Sequence, residues 1–183
     1  MKLFSKARYR IASRNLLQDH HKLHRNRKPN NLDNAQSIGL LYYLPDEDTY
    51  KKIDEFIKTL NESNIKVRVA CYTDQKFAPH YFIPKLLQDV ITLKDLNWYY
   101  HPQKPFVKDF LDEEFDILID LSLAEYFPLL FLAAKSRAAL KIGRFDEKHQ
   151  DYYDLMIDIP AESPIEYFIQ QVIHYLKKIN TES

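Results

Sequence analysis

Apolar positions along the chain follow two rhythms, and the places where one gives way to the other predict the elements. "SIGLLYYL", residues 37–44, is a continuous apolar run of strand length, as expected of a strand covered on both faces. Pro45 and Asp46 stop it and open a helix, in which Ile53, Phe56, Ile57 and Leu60 recur at i, i+3, i+4 and i+7. "NIKVRVACYT" returns to strand period, with Ile65, Val67, Val69 and Cys71 on one face. "YFIPKLLQDVITL" reads as a short helix and a strand, "NWYYHPQKP" as an aromatic loop, and "PFVKDFLDE" as a helix with Pro105 in its first turn.

From residue 115 the alternation is clearer. "FDILIDLS" is a strand, "LAEYFPLLFLAAKS" its crossover helix, "AALKIG" the next strand and "DLMIDI" another. "SPIEYFIQQVIHYLKKI" closes the chain as an amphipathic helix with Ile165, Phe168, Ile169, Val172, Leu176 and Ile179 on its stripe. Strand and helix in alternation predict a three-layer, Rossmann-like α/β domain of about five mostly parallel strands, joined by right-handed crossovers. The expected division is a basic helical arm and linker over 1–35, helical from about Phe4 to His24, followed by a single α/β domain over 36–183.

Charge changes this picture, although the 26 basic and 26 acidic residues cancel. Residues 1–35 hold nine basic side chains against two acids, a formal +7, and the remainder carries 17 against 24, or −7. A basic arm on an acidic body points to an anionic partner for the arm. Lys6, Arg8, Arg10, Arg14, Lys22, Arg25, Arg27 and Lys28 are the candidates for phosphate or anionic-surface contacts. Leu3, Phe4, Ile11, Leu16 and Leu17 give the same arm a weak apolar side, which suits an anionic membrane surface as well as RNA or a ribosome. No run is long enough to span a membrane. With one cysteine, Cys71, an intramolecular disulfide and a cysteine zinc site are both excluded, and a cytoplasmic protein is expected.

Candidate chemistry gathers where open α/β sheets hold ligands, beyond the carboxyl ends of the strands. Asp46, Asp74, Asp120, Ser122, Arg144 and Asp158 fall at those ends, and Asp120, Ser122, Arg144 and Asp74 are the pocket candidates. Two features argue for a plainer role. Ser122 and Glu125 have capping-box spacing at the start of the crossover helix, and Ser163, Pro164 and Glu166 repeat the device. Asp120 is left without a capping role. Gly39 and Gly143 are the only glycines and lie in no G-x-G-x-x-G or P-loop pattern, so a dinucleotide site is not expected. No cofactor, metal or catalytic group is assigned; His20 and His24 stand at i, i+4, but "HKLH" lacks a zincin's glutamate.

Taken together, "SIGLLYYL", "FDILIDLS", "AALKIGRF" and "YYDLMIDI", with Asn97 and Trp98, resemble an uncharacterised family of small cytoplasmic Bacteroidota proteins, a domain of unknown function, over roughly 36–180. That resemblance implies a fold and no activity. A looser one, through "D-x-x-I-D-L" and "LKIGRF", is to the amino-terminal half of heptosyltransferase-type (GT-B) glycosyltransferases. Their nucleotide-sugar site lies largely in a second Rossmann-like domain, so what this likeness implies is an acceptor-side domain kept for binding. The leading expectation is a non-enzymatic binding protein whose arm docks on RNA, a ribosome or another anionic surface. The alternatives are a small-ligand-binding or enzymatic domain using the strand-end pocket, and an adaptor for a protein partner.

Overall fold

The structure is a computed structural model that describes the backbone of residues 3–180, with side chains from residue 6 onward. Helix α1 (Leu3–His21) leads into strand β1 (Ser37–Tyr43), helix α2 (Glu47–Glu62), strand β2 (Lys66–Tyr72) and strand β3 (Gln88–Ile91). Helix α3 (Pro105–Asp112), strand β4 (Ile117–Asp120), helix α4 (Phe127–Lys135) and strand β5 (Leu140–Arg144) follow, and strand β6 (Leu155–Ile157) and helix α5 (Ile165–Leu176) finish the order. All strand pairs are parallel, in the order β3-β2-β1-β4-β5-β6. That is a doubly wound sheet with its switch point between β1 and β4.

The sheet has six strands, one more than the periodicity predicted. The strand expected within "YFIPKLLQDVITL" is β3, a four-residue edge strand; the short helix expected beside it does not form. Pro84 and the turn residues before it leave too few residues for one.

Each face of the sheet carries its own core. Ile38, Leu40 and Tyr42 of β1 with Val67, Val69 and Cys71 of β2 pack against the stripes of α2 and α5. Leu41, Ala70, Tyr72 and Leu118 point the other way, to α3, α4 and α1. Helix α4 is apolar all round because it is buried all round.

Helix α1 belongs to this second core through Ala12 and Leu16, which are fully buried, and Tyr9, whose ring meets Phe127 edge-on at 5.4 Å. Burial of Leu16 alone contributes about 2 kcal/mol. Polar contacts complete the attachment. Both ring nitrogens of His20 face carbonyl oxygens, Nδ1 toward Ala134 at 2.7 Å and Nε2 toward Asp151 at 2.8 Å. Burial lowers the His20 pKa, opposed by those two carbonyls and helped by the charges of Lys141 and Arg25. Arg25 forms a two-pronged pair with Asp154, at 2.7 and 2.5 Å, and also donates to the Ala138 carbonyl at 2.9 Å. Arg8 lies between the Trp98 and Tyr100 rings, 4.9 and 4.8 Å from their centroids, and its Nε donates to the Trp98 carbonyl. The aromatic loop thus serves as a clamp for α1.

Candidate functional site

The adjacent, parallel strands β4 and β5 end on Asp120 and Arg144, and the two loops that leave them enclose a pocket. Residues 122–126 form one wall and residues 145–149 the other, with Tyr153 at the back. Its volume is about 70 Å³, room for one small polar group.

Asp120 is 5% exposed and held from two sides: its Oδ1 accepts from the Ser122 backbone N–H at 3.0 Å, and its Oδ2 accepts from the Tyr153 hydroxyl at 2.6 Å. Burial pushes its carboxyl pKa up, against the lowering effects of Ser122, Tyr153 and nearby His149. Tyr153 reaches Asp120 by crossing Gly143, where a Cβ would stand 2.7 Å from the tyrosine ring. Glycine is required there by close approach, since its backbone needs no unusual angle.

Arg144 anchors one end of its guanidinium on the Leu123 carbonyl through Nη1. Its Nε is buried and has no partner among the described residues. The Ser122 hydroxyl is also buried; it lies close enough to Asp120 to lower that carboxyl's pKa but outside hydrogen-bond geometry with it. Leaving such groups unpaired costs about 1–3 kcal/mol each, and both belong to residues that line the pocket.

The capping role expected of Ser122 and Glu125 is not what forms. Pro128 at the second helical position sets the start of α4 at Phe127, with Tyr126 as the capping residue, so Ser122 and Glu125 lie in the preceding loop. Glu125 instead faces His149. The second device fails similarly: Pro164 is itself the cap of α5, and Glu166 reaches across to Lys52 of α2. Asp120, left without a capping role by the sequence, caps no helix here either; its carboxylate accepts a turn bond from the Ser122 amide.

Of the other strand-end residues, Asp46 caps α2 by accepting from the Thr49 N–H at 2.8 Å. With Glu47 and Asp48 in the first turn, that helix end repels phosphate, although it stands at the switch point where dinucleotides bind in related folds. A mostly apolar crevice of about 370 Å³ lies at this point, between Tyr43, Leu121 and Ile165. Asp74 is exposed beyond β2 and outside the Asp120 pocket; it sits by Tyr43, whose phenol is pushed up first by burial and then by this carboxylate. Asp158 is exposed after β6.

The arm candidates divide. Arg8 and Arg25 face the body, as described above, whereas Lys6, Arg10, Arg14, Lys22, Arg27 and Lys28 are exposed. His20 is occupied by carbonyl oxygens, so the His20–His24 pair assembles no ligand set. Cys71 is buried in the core, its thiol pushed up to about 12 by burial, which leaves it unreactive.

Asp146, His149 and Tyr153 had no signal in the sequence that set them apart. "DEKH", residues 146–149, places an acid and a histidine three apart, and nothing local says that Glu125 lies opposite.

Comparison with known proteins places the chain in a family. The model described as "Family of unknown function (DUF6913)" matches residues 8–179, nearly the whole chain, and the protein belongs to that family. No curated protein sequence matches it. Among solved structures it is similar to E. coli heptosyltransferase WaaC with ADP, at 12% identity and a TM-score of 0.43. The match covers 79% of this chain and 48% of that one, so the chain spans about half the length of the transferase.

Proposed function

We propose, for a protein that belongs to this family of unknown function, that it is a ligand-binding domain whose pocket at the ends of β4 and β5 takes a small molecule through a carboxylate or phosphoryl oxygen. The observation that carries the reading is the buried, unpartnered Nε of Arg144 on the pocket wall. Nη1 is already held by the Leu123 carbonyl, which leaves the Nε edge of the guanidinium for an incoming oxyanion, the geometry arginine uses for two-pronged recognition. The Ser122 hydroxyl supplies a further donor, and Asp120 can accept from a ligand hydroxyl. The pocket volume and the acidic first turn of α2 argue against a nucleoside diphosphate.

Titration of the full chain with inorganic phosphate and with short hydroxy acids, followed by amide chemical shifts, tests this. Saturable shifts confined to residues 120–126 and 143–153 are expected, and Arg144→Met should weaken them at least ~10-fold, the loss of one charge-assisted hydrogen bond. Shifts absent with every probe, or unchanged in Arg144→Met, would sink the proposal.

One observation favours a second reading, in which α1 docks on RNA. Lys6, Arg10 and Arg14 stand at i, i+4 and i+8 on the side of α1 away from Ala12 and Leu16, and Lys22, Arg27 and Lys28 continue the exposed cations. Their spacing of about 6 Å per step matches that of phosphates along a strand. Binding to single-stranded RNA should therefore fall steeply with salt, and Lys6→Glu with Arg10→Glu and Arg14→Glu should reduce the log–log salt slope by about 2. Binding that is absent, or insensitive to salt, removes this reading.

A further inference from the structure

The geometry points to a divalent-cation site at the mouth of the pocket, formed by Glu125, Asp146 and His149. One donor atom from each of the three lies within 4.8 Å of the others. His149 Nε2 is 3.6 Å from Glu125 Oε2, and its Nδ1 is 3.4 Å from Asp146 Oδ2. Those separations are too long for good hydrogen bonds. Since one imidazole gives an ion a single nitrogen, only one of them can be an edge of the coordination polyhedron, in which donors about 2.1 Å from one ion stand roughly 3–4 Å apart. The other carboxylate has to close on the ion from within the 4.8 Å that spans the three donors.

The surroundings leave these groups uncommitted. The second oxygen of Asp146 is already used, Oδ1 accepting from the Lys148 N–H at 2.8 Å, which fixes the carboxylate with Oδ2 toward the histidine. Among the described residues neither Glu125 nor Asp146 pairs with any lysine or arginine. His149 is oriented by its stacking on Tyr152, 6.0 Å between centroids with the rings 20° apart. Independent of the trio, the buried Arg144 Nε and Ser122 Oγ line the same pocket without partners, which calls for a ligand next to the ion.

One nitrogen with two carboxylate oxygens is a donor set for first-row cations such as Mn²⁺ and Zn²⁺. Three protein ligands leave coordination positions open, and an oxyanion held by Arg144 can fill one of them. The site would then take its ligand as a metal–oxyanion pair, the cation offsetting the carboxylates that would otherwise repel an anion. This deepens the pocket reading, resting on it for the anion but not for the ion.

The test uses the full chain and the metal alone, with Mn²⁺ followed by electron paramagnetic resonance and Zn²⁺ by competition against it. One saturable Mn²⁺ per chain is expected, displaced by Zn²⁺ in keeping with the usual order of affinities. Glu125→Gln and His149→Gln should each weaken it at least ~10-fold. Glu125 lies in the loop before α4 and His149 in a short 3-10 helix after β5, and circular dichroism with Asp146→Asn as a third variant separates lost ligation from lost folding. Arg144→Met should abolish the tightening of phosphate binding by Mn²⁺. Absence of saturable Mn²⁺ and Zn²⁺ binding, or binding unaltered in the Glu125→Gln, His149→Gln double variant, overturns the cation site. Phosphate binding measured without metal reports separately on the pocket.

Discussion

Between pH 7 and 8.5 the protein is expected to gain about 2 kcal/mol of stability, and Lys141→Met to flatten that rise. Lys141 is fully buried in the middle of β5, with its pKa brought down to about 7 by burial, reinforced by the charges of Arg25 and Arg27 and opposed by that of Asp154. Its ammonium donates to the Ala133 carbonyl at 2.7 Å, at the carboxyl end of α4, where the helix dipole favours a cation. Burial outweighs that help. Since the unfolded chain keeps its lysine protonated up to about 10.5, it binds more protons than the folded one from pH 7 upward. Stability must therefore rise with pH over this interval, and the penalty is fully present below it. From about pH 8.5 the rise tapers because the Cys71 thiol, pushed up to about 12, begins to ionise first in the unfolded chain, and the Tyr72 and Tyr152 phenols, also pushed up to about 12, reverse the slope only at about pH 10. Thermal unfolding of wild type and Lys141→Met at matched ionic strength checks this. A wild-type melting temperature that is flat or falls across the interval would show that Lys141 keeps its charge without penalty.

The second large effect belongs to Arg25. Arg25→Met is expected to cost about 3 kcal/mol, because it leaves the Asp154 carboxylate, only 16% exposed, with Arg27 at 3.6 Å as its one remaining ion-pair partner among the described residues. The Arg25 side chain itself is 3% exposed, so little solvent screening weakens the pair. In a chain of this length the loss corresponds to roughly 6–12 °C in melting temperature. Asp154 also accepts from the Lys141 backbone N–H at 2.8 Å, which ties residues 22–28 to the strand that holds the buried lysine. The two predictions are therefore coupled. Removing Arg25 takes away a repulsive charge from Lys141 and leaves Asp154 less fully neutralised, so the pH-dependent rise should shrink in Arg25→Met. Additive behaviour in the double variant would argue that the groups act independently.

The elements themselves were legible wherever the apolar rhythm was strong. The run at 37–44, the stripe at 53–60 and the stripe at 165–176 became β1, α2 and α5 with small shifts of boundary. Reading failed at short or weakly patterned stretches. The short helix expected before β3 does not form, and that neighbourhood exposes Phe77, Ile83 and Leu86, which blurs the distinction between core and surface positions. The cap at Ser122 was misplaced because S-x-x-E spacing is cheap, whereas Pro128 carries the stronger constraint on where α4 can begin.

The arm shows the limit of charge counting. Nine cations in 35 residues point to an anionic partner, yet Arg8, Arg25 and Arg27 are engaged by Trp98, Tyr100 and Asp154 of the same chain. The apolar positions Ala12 and Leu16 were too sparse on α1 to announce a buried face, because a helix that covers an existing layer needs only a narrow stripe.

What the sequence determined by itself was the class of fold: alternation of strand and helix periods is a local property, and the burial of both sheet faces follows from it. It also placed Asp120 and Arg144 at strand ends. Only the tertiary structure decided that they face one pocket and that Glu125 meets Asp146 and His149 there. The reason is physical. Parallel pairing of β4 with β5 brings together loops more than twenty residues apart, and no local pattern encodes which side chains will meet across that gap.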